Sequence, residues 1–143
     1  MLHKPIIKQN LMDILDHLEF DVSGWHNTKG NPRSNPKYCR QWCFEDGDKI
    51  LLAVWYEDIH TTKEETFLTK SFAKSKLNMK NINKRKVESF YNKLSAAAQS
   101  SRPVYVALCT GKDESKVKAR ELDSEQWEVR KTSNEEYKIT RIC

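Results

Sequence analysis

Residues 41–56 read Gln41-Trp42-Cys43-Phe44-Glu45-Asp46-Gly47-Asp48-Lys49-Ile50-Leu51-Leu52-Ala53-Val54-Trp55-Tyr56, the pattern of a β-hairpin. Gln41 to Phe44 leads into a turn, Glu45-Asp46-Gly47-Asp48. Lys49 to Tyr56 then returns rich in β-branched, aliphatic and aromatic residues, as a half-buried strand requires. Immediately upstream, Gly24 to Pro36 is loop chemistry: Gly24, Gly30, Pro32 and Pro36 alternate with Asn27, Asn31, Ser34 and Asn35, the residues that set turns. Three of the four tryptophans, Trp25, Trp42 and Trp55, fall in this region together with Tyr38 and Phe44. Flat rings concentrated among polar, turn-forming residues suggest a stacking pocket. The competing reading is that Trp42, Phe44, Val54 and Trp55 fill a small core, since aromatic side chains dominate core energetics.

Working outward, a first helix is expected from a cap at Asn10 through Leu11, Ile14, Leu15 and Leu18, whose spacing of three and four places them on one face. Glu65 to Thr69 reads as a further strand. A second helix is expected over 83–99, with Val87, Phe90, Tyr91, Leu94 and Ala98 as its buried stripe. Pro103 to Cys109 is a nearly continuous apolar run, as in a central strand covered on both faces, and Gly111 ends it. Val117 to Leu122, Gln126 to Lys131 and Tyr137 to Ile142 follow as strands between polar turns, with Trp127 the tryptophan expected in the core. These elements predict an α+β fold: a five- to six-stranded, mostly antiparallel curved sheet with two main helices packed on it. One domain over 1–143 is expected, and the stop at Cys143 directly after a strand suggests part of a longer protein.

A chain of 143 residues buries roughly two thirds of its unfolded surface, enough for a core without disulfides or metal. Hydrophobic residues at 38% and charged residues at 31% describe a polar globular chain, no run approaches a membrane span, and the amino terminus lacks a signal-peptide core. A cytoplasmic location without membrane contact is expected, and Cys39, Cys43, Cys109 and Cys143 read as reduced thiols. The net charge is +5, yet Lys70 to Lys93 carries eight basic residues against one acid, leaving 17 basic and 19 acidic residues elsewhere. A localised basic stripe on a near-neutral domain is the footprint expected for phosphate backbones, with a solvated helix face as the alternative. Lys84, Arg85 and Lys86 in a helix's first turn oppose its dipole, so local stability does not account for them.

Catalytic and metal chemistry find little support. Cys39 and Cys43 with His26 upstream lack the second ligand pair of a structural zinc site, so no metal and no cofactor are expected. Asp123 followed by Glu136-Tyr137-Lys138 only faintly imitates a metal-dependent nuclease, and no HNH motif or P-loop appears. No Cys or His stands in a recognisable nucleophilic setting. The sequence points to a binding module rather than an enzyme.

The order Gly24-Trp25, Asn35-Pro36-x-Tyr38-Cys39-x-x-Trp42-x-Phe44, Trp55-Tyr56-x-Asp58 and Ala119-Arg120-x-Leu122-Asp123-x-x-x-Trp127-x-Val129 resembles the N-terminal DNA-recognition domain of McrA-like, HNH-type modification-dependent restriction endonucleases, over about residues 22–142. The resemblance implies a DNA-binding domain that recognises modified cytosine, 5-methylcytosine or 5-hydroxymethylcytosine, in duplex DNA for a restriction or defence nuclease. The base would be flipped into an aromatic pocket and read on its Watson–Crick edge. Trp25, Tyr38, Trp42, Trp55 and Tyr56 would supply the rings, and Asn27, Asn35, Asp46 and Asp58 the edge contacts. Each good contact of this kind discriminates by about 1–3 kcal/mol. Lys70, Lys74, Lys76, Lys80, Lys84, Arg85, Lys86 and Lys93 would grip the backbone without reading sequence. The implied partners are double-stranded DNA carrying modified bases and a fused or associated HNH nuclease domain. The residues alone leave two rivals open: an RNA-binding module that also uses stacking beside basic residues, and an interaction domain whose aromatics are core.

Overall fold

Two strands far apart in the chain lie side by side at the centre of this protein, described here as a computed structural model over residues 2–39, 41–72, 84–100, 102, 104–114 and 116–142. In chain order the elements are helices α1 (Leu11–His17) and α2 (Pro36–Cys39), strands β1 (Cys43–Asp46), β2 (Lys49–Trp55), β3 (His60–Thr61) and β4 (Thr66–Ser71), helix α3 (Lys84–Ser100), and strands β5 (Val104–Thr110), β6 (Ala119–Leu122), β7 (Trp127–Ser133) and β8 (Glu136–Arg141). They form one sheet ordered β1-β2-β5-β7-β8-β4-β3, with β6 also paired to β5. β2 and β5 are parallel, in register from Ile50 with Val104 to Trp55 with Cys109. The two runs Ile50–Val54 and Val106–Thr110 are buried without a break, because helices or loops cover both faces of these strands.

The class is α+β, as the sequence predicts, and every strand pairing except that of β2 with β5 is antiparallel. The sheet is larger than five or six strands. β3 has only two residues, too few to show periodicity, and α2 is a single turn that begins at Pro36, the last residue of the stretch read as loop. The parallel pair arises because β3, β4 and α3 intervene between β2 and β5 and form a long crossover.

Alternation along the central strands separates two cores. Ile50, Leu52, Val54, Val104, Val106 and Leu108 face α3, which contributes Tyr91, Leu94 and Ala97, with Leu68, Trp127, Val129 and Ile139 completing the cluster. Leu51, Phe44 and Ala107 face the other way, against Leu11, Ile14 and Leu15 of α1 and against Phe20 and Trp25. α1 starts where its cap dictates: the Asn10 side chain accepts the Met12 N–H at 3.0 Å.

One polar cluster is built into the frame. β6 pairs with the second half of β5 and β7 with its first residue, so the chain bends between them, at Asp123. The Asp123 carboxylate, 7% exposed as a residue, accepts from Trp127 Nε1 at 2.7 Å and from Arg141 Nε and Nη2 at 2.8 and 3.1 Å. This bidentate contact ties the bend to the end of β8, and its partners leave no carboxylate oxygen of Asp123 without a donor.

Candidate nucleic-acid interface

The aromatic stretch divides into two groups with different burial. Trp25, on a single turn of 3-10 helix at Ser23–His26, is 2% exposed and stacks on Tyr38 at 5.0 Å and 19° and on Phe44 at 6.4 Å and 28°. Asn35, also buried, donates its side-chain amide to the Trp25 carbonyl at 2.9 Å and accepts the Lys37 N–H at 3.1 Å, capping α2. The loop therefore folds back onto the sheet. Its turn residues lock the backbone over α1 and β1, and Gly24 approaches so closely that a Cβ there would stand 2.6 Å from the Tyr38 hydroxyl. Trp25 and Asn35, expected in the base pocket, are instead core and cap. Asp46 is likewise engaged, accepting the Asp21 N–H at 2.7 Å. Tyr38 is half-buried with the Lys37 ammonium 5.4 Å above its ring, and Asn27 is exposed on the loop.

Trp42 and Trp55 form the second group. Trp42 extends the β1 ladder by one residue, its carbonyl accepting the Ala53 N–H at 2.8 Å, which puts it diagonal to Trp55 on the sheet face that α1 covers. Both rings are half-buried, 4.9 Å apart and tilted by 51°. Beyond Trp55 the chain makes one 3-10 turn, Tyr56–Asp58. Glu57 in this turn accepts the Gly111 and Lys112 N–H groups at 2.7 and 3.3 Å and so fixes the turn that follows β5. Asp58 takes the Lys112 ammonium in an ion pair and has the Lys70 ammonium at 3.9 Å. Burial pulls Lys70 below the usual lysine range; Asp58 opposes that shift and Lys112 adds to it. Lys112 lies outside the basic run at 70–93, and nothing in its sequence neighbourhood sets it apart.

The same sheet face continues through Cys109 and Arg120, which stand opposite Trp55 and opposite one another across β2, β5 and β6. Burial pushes the Cys109 thiol up, with Arg120 opposing. Arg120 donates Nη1 to the Gln9 carbonyl at 3.1 Å, while its Nε is buried without a hydrogen-bond partner among the described residues.

The basic segment also divides. Lys84, Arg85 and Lys86 are exposed on the first described turn of α3. Lys93 instead donates to the Cys43 carbonyl at 3.2 Å, which satisfies a carbonyl on the outward edge of β1. Lys70 is paired with Asp58, and Lys74, Lys76 and Lys80 lie outside the described residues. Between α3 and β1 runs an open groove of about 420 Å³ lined by Glu45, Arg85, Glu88, Ser89, Asn92 and Lys93, with charges of both signs.

Cys39 is exposed and donates its thiol to the Arg33 carbonyl, whereas Cys43 is buried in the α3-facing core, so the two face different surroundings. Among the described residues no three His, Cys, Asp or Glu side chains gather as metal ligands, and no helix is long and apolar enough to cross a membrane. The faint nuclease resemblance dissolves into separate partners: Asp123 with Arg141, Glu136 with Ser133 and Lys138 with Glu65. Compared with known proteins, the chain matches no family model, no curated protein and no solved structure.

Proposed function

We propose that this chain is a nucleic-acid-binding domain that recognises modified cytosine, 5-methylcytosine or 5-hydroxymethylcytosine, in duplex DNA, serving a restriction or defence nuclease carried on the same or an associated chain. The observation that carries the reading is the half-buried, tilted Trp42–Trp55 pair. Two rings at 51° cannot cover one another's faces, so aromatic surface stays open at the rim of the sheet. A base extruded from a duplex gains its stacking energy on such a surface. The exposed cations Lys84, Arg85 and Lys86 supply sequence-independent attraction to phosphate. The order of aromatic and polar residues that resembles modification-dependent restriction enzymes narrows the ligand to modified DNA. The pocket is accordingly smaller than the sequence suggests: Trp42, Trp55 and Tyr56 belong to it, and Trp25 supports it from the core.

Competition binding with hydroxymethylated, methylated and plain duplexes and with RNA of the same sequence tests this. Modified duplex should compete best, and Trp42→Ala or Trp55→Ala should remove the preference. A preference for RNA would make this an RNA-binding module. Failure to bind any nucleic acid at low salt would leave an interaction domain whose lysines are solvated surface.

A further inference from the structure

We infer that Lys70 and Lys112 form a phosphate seat at the end of the sheet just past β2, filled in the free protein by the Asp58 carboxylate, which a backbone phosphate displaces on binding. The inference rests on the nucleic-acid reading above and adds to it a residue, Lys112, and a new role for Asp58. The two lysines come from β4 and from the turn after β5, 42 positions apart in the chain, yet their ammonium groups converge on one carboxylate. Two cations on one anion leave a surplus positive charge. Each ammonium has three donors, more than the two oxygens of Asp58 satisfy.

Lys70 and Asp58 are largely enclosed, and the half-exposed Lys112 has its backbone held in place. The Lys70 side chain is 28% exposed and that of Asp58 23%, while Glu57 pins the Lys112 backbone through two N–H contacts. The Lys70 ammonium is partly desolvated and carries a second ammonium beside it, an arrangement that a better anion relieves. A phosphodiester carries the same single charge as Asp58, so the exchange is one anion for another, and the displaced carboxylate turns to water. Asp58 is one 3-10 turn from Trp55, about 6 Å along the chain at ~2.0 Å per residue. The seat thus lies one turn beyond the end of β2, on the side of the sheet from which Lys70 projects with Leu68 and Tyr137. A carboxylate bound there in the free state also disfavours non-specific phosphates, because each must first expel it.

The experiment measures binding of a modified-cytosine duplex against salt for the wild type, Asp58→Asn, Lys112→Ala and Trp42→Ala. Lys112→Ala should lower the slope of log K against log salt by about 0.9, one phosphate contact. Asp58→Asn should bind several-fold tighter at low salt, since its neutral amide no longer competes. If the wild type binds and Trp42→Ala abolishes the preference while Lys112→Ala keeps the full slope, the seat does not exist although the nucleic-acid reading stands. Unchanged or weaker binding by Asp58→Asn would equally overturn the displacement. Should Asp58→Asn fail to fold, Lys112→Ala decides alone, its side chain being half exposed. A wild type that binds no nucleic acid overturns the reading and the inference together.

Discussion

Trp25 and Trp42 come from one aromatic-rich stretch and carry opposite burdens. Trp25, 2% exposed between Tyr38 and Phe44, is a load on stability: Trp25→Ala should cost about 3–5 kcal/mol in chemical unfolding. Trp42→Ala, at a half-buried rim position, should cost much less and act on binding instead, and near-equal losses in the two variants would place Trp42 in the core as well. Turn-forming neighbours made Trp25 look like a loop residue, whereas Trp42 opens the hairpin. Neither Asn35 nor Gly24 signals in sequence that the loop closes over Trp25, because the Asn35 contact and the Tyr38 approach are made with residues fixed by tertiary packing. Cys43 gives a titratable check on burial. Desolvation pushes its thiol from 9.0 to about 12, Lys93 partly opposing and Glu45 adding. Below pH 9.0 both folded and unfolded chains keep the proton; from there towards about 12 the unfolded chain alone releases it, so stability falls by up to about 1.4 kcal/mol per pH unit. Urea unfolding at pH 8 and pH 10, approximate settings on either side of the ordinary thiol range, should show a steeper alkaline decline in the wild type than in Cys43→Val.

At the scale of elements, α3 combines a face that builds the core with a first described turn that does not. Replacing Lys84, Arg85 and Lys86 by Ala should leave stability unchanged or a few tenths of a kcal/mol higher if they begin the helix, since cations there oppose its dipole. The same triple variant should flatten the salt dependence of DNA binding by about 0.9 for each phosphate these cations neutralise, and a wild-type slope would reduce the three residues to solvated surface. Most elements were legible: α1 from its cap and spacing, the hairpin from its turn, β5 from its apolar run, and α3 from Tyr91 and Leu94. The site was less so. Charge counting grouped Lys70 and Lys93 with the phosphate-gripping cations, but it could not show the acceptors that the fold brings to their tips, Asp58 and the Cys43 carbonyl. Lys112 shows the converse, since only the fold carries it to Asp58.

For the whole molecule, the bend at Asp123 joins β6, β7 and β8 through one buried carboxylate. Asp123→Ala removes two charge-assisted hydrogen bonds from the Arg141 guanidinium, 9% exposed, and one from Trp127 Nε1, and should cost about 3–5 kcal/mol in urea unfolding, whereas breaking an exposed pair such as Lys118 with Glu114 should leave unfolding close to that of the wild type. The parallel pairing of β2 with β5 has a consequence for how the chain reaches this state. Ile50 finds its partner in Val104, 54 positions downstream, so β2 leaves the ribosome well before the strand that covers it. At about 5–20 residues per second, the Ile50–Val54 run waits roughly 3–11 s with only the short β1 beside it. During that interval its backbone edge and, until α3 is made, the apolar face opposite α1 are open to any neighbouring chain. Nascent chains arrested before Val104 should therefore be held by chaperones or aggregate, and chains arrested far enough past Cys143 for it to clear the exit tunnel should not.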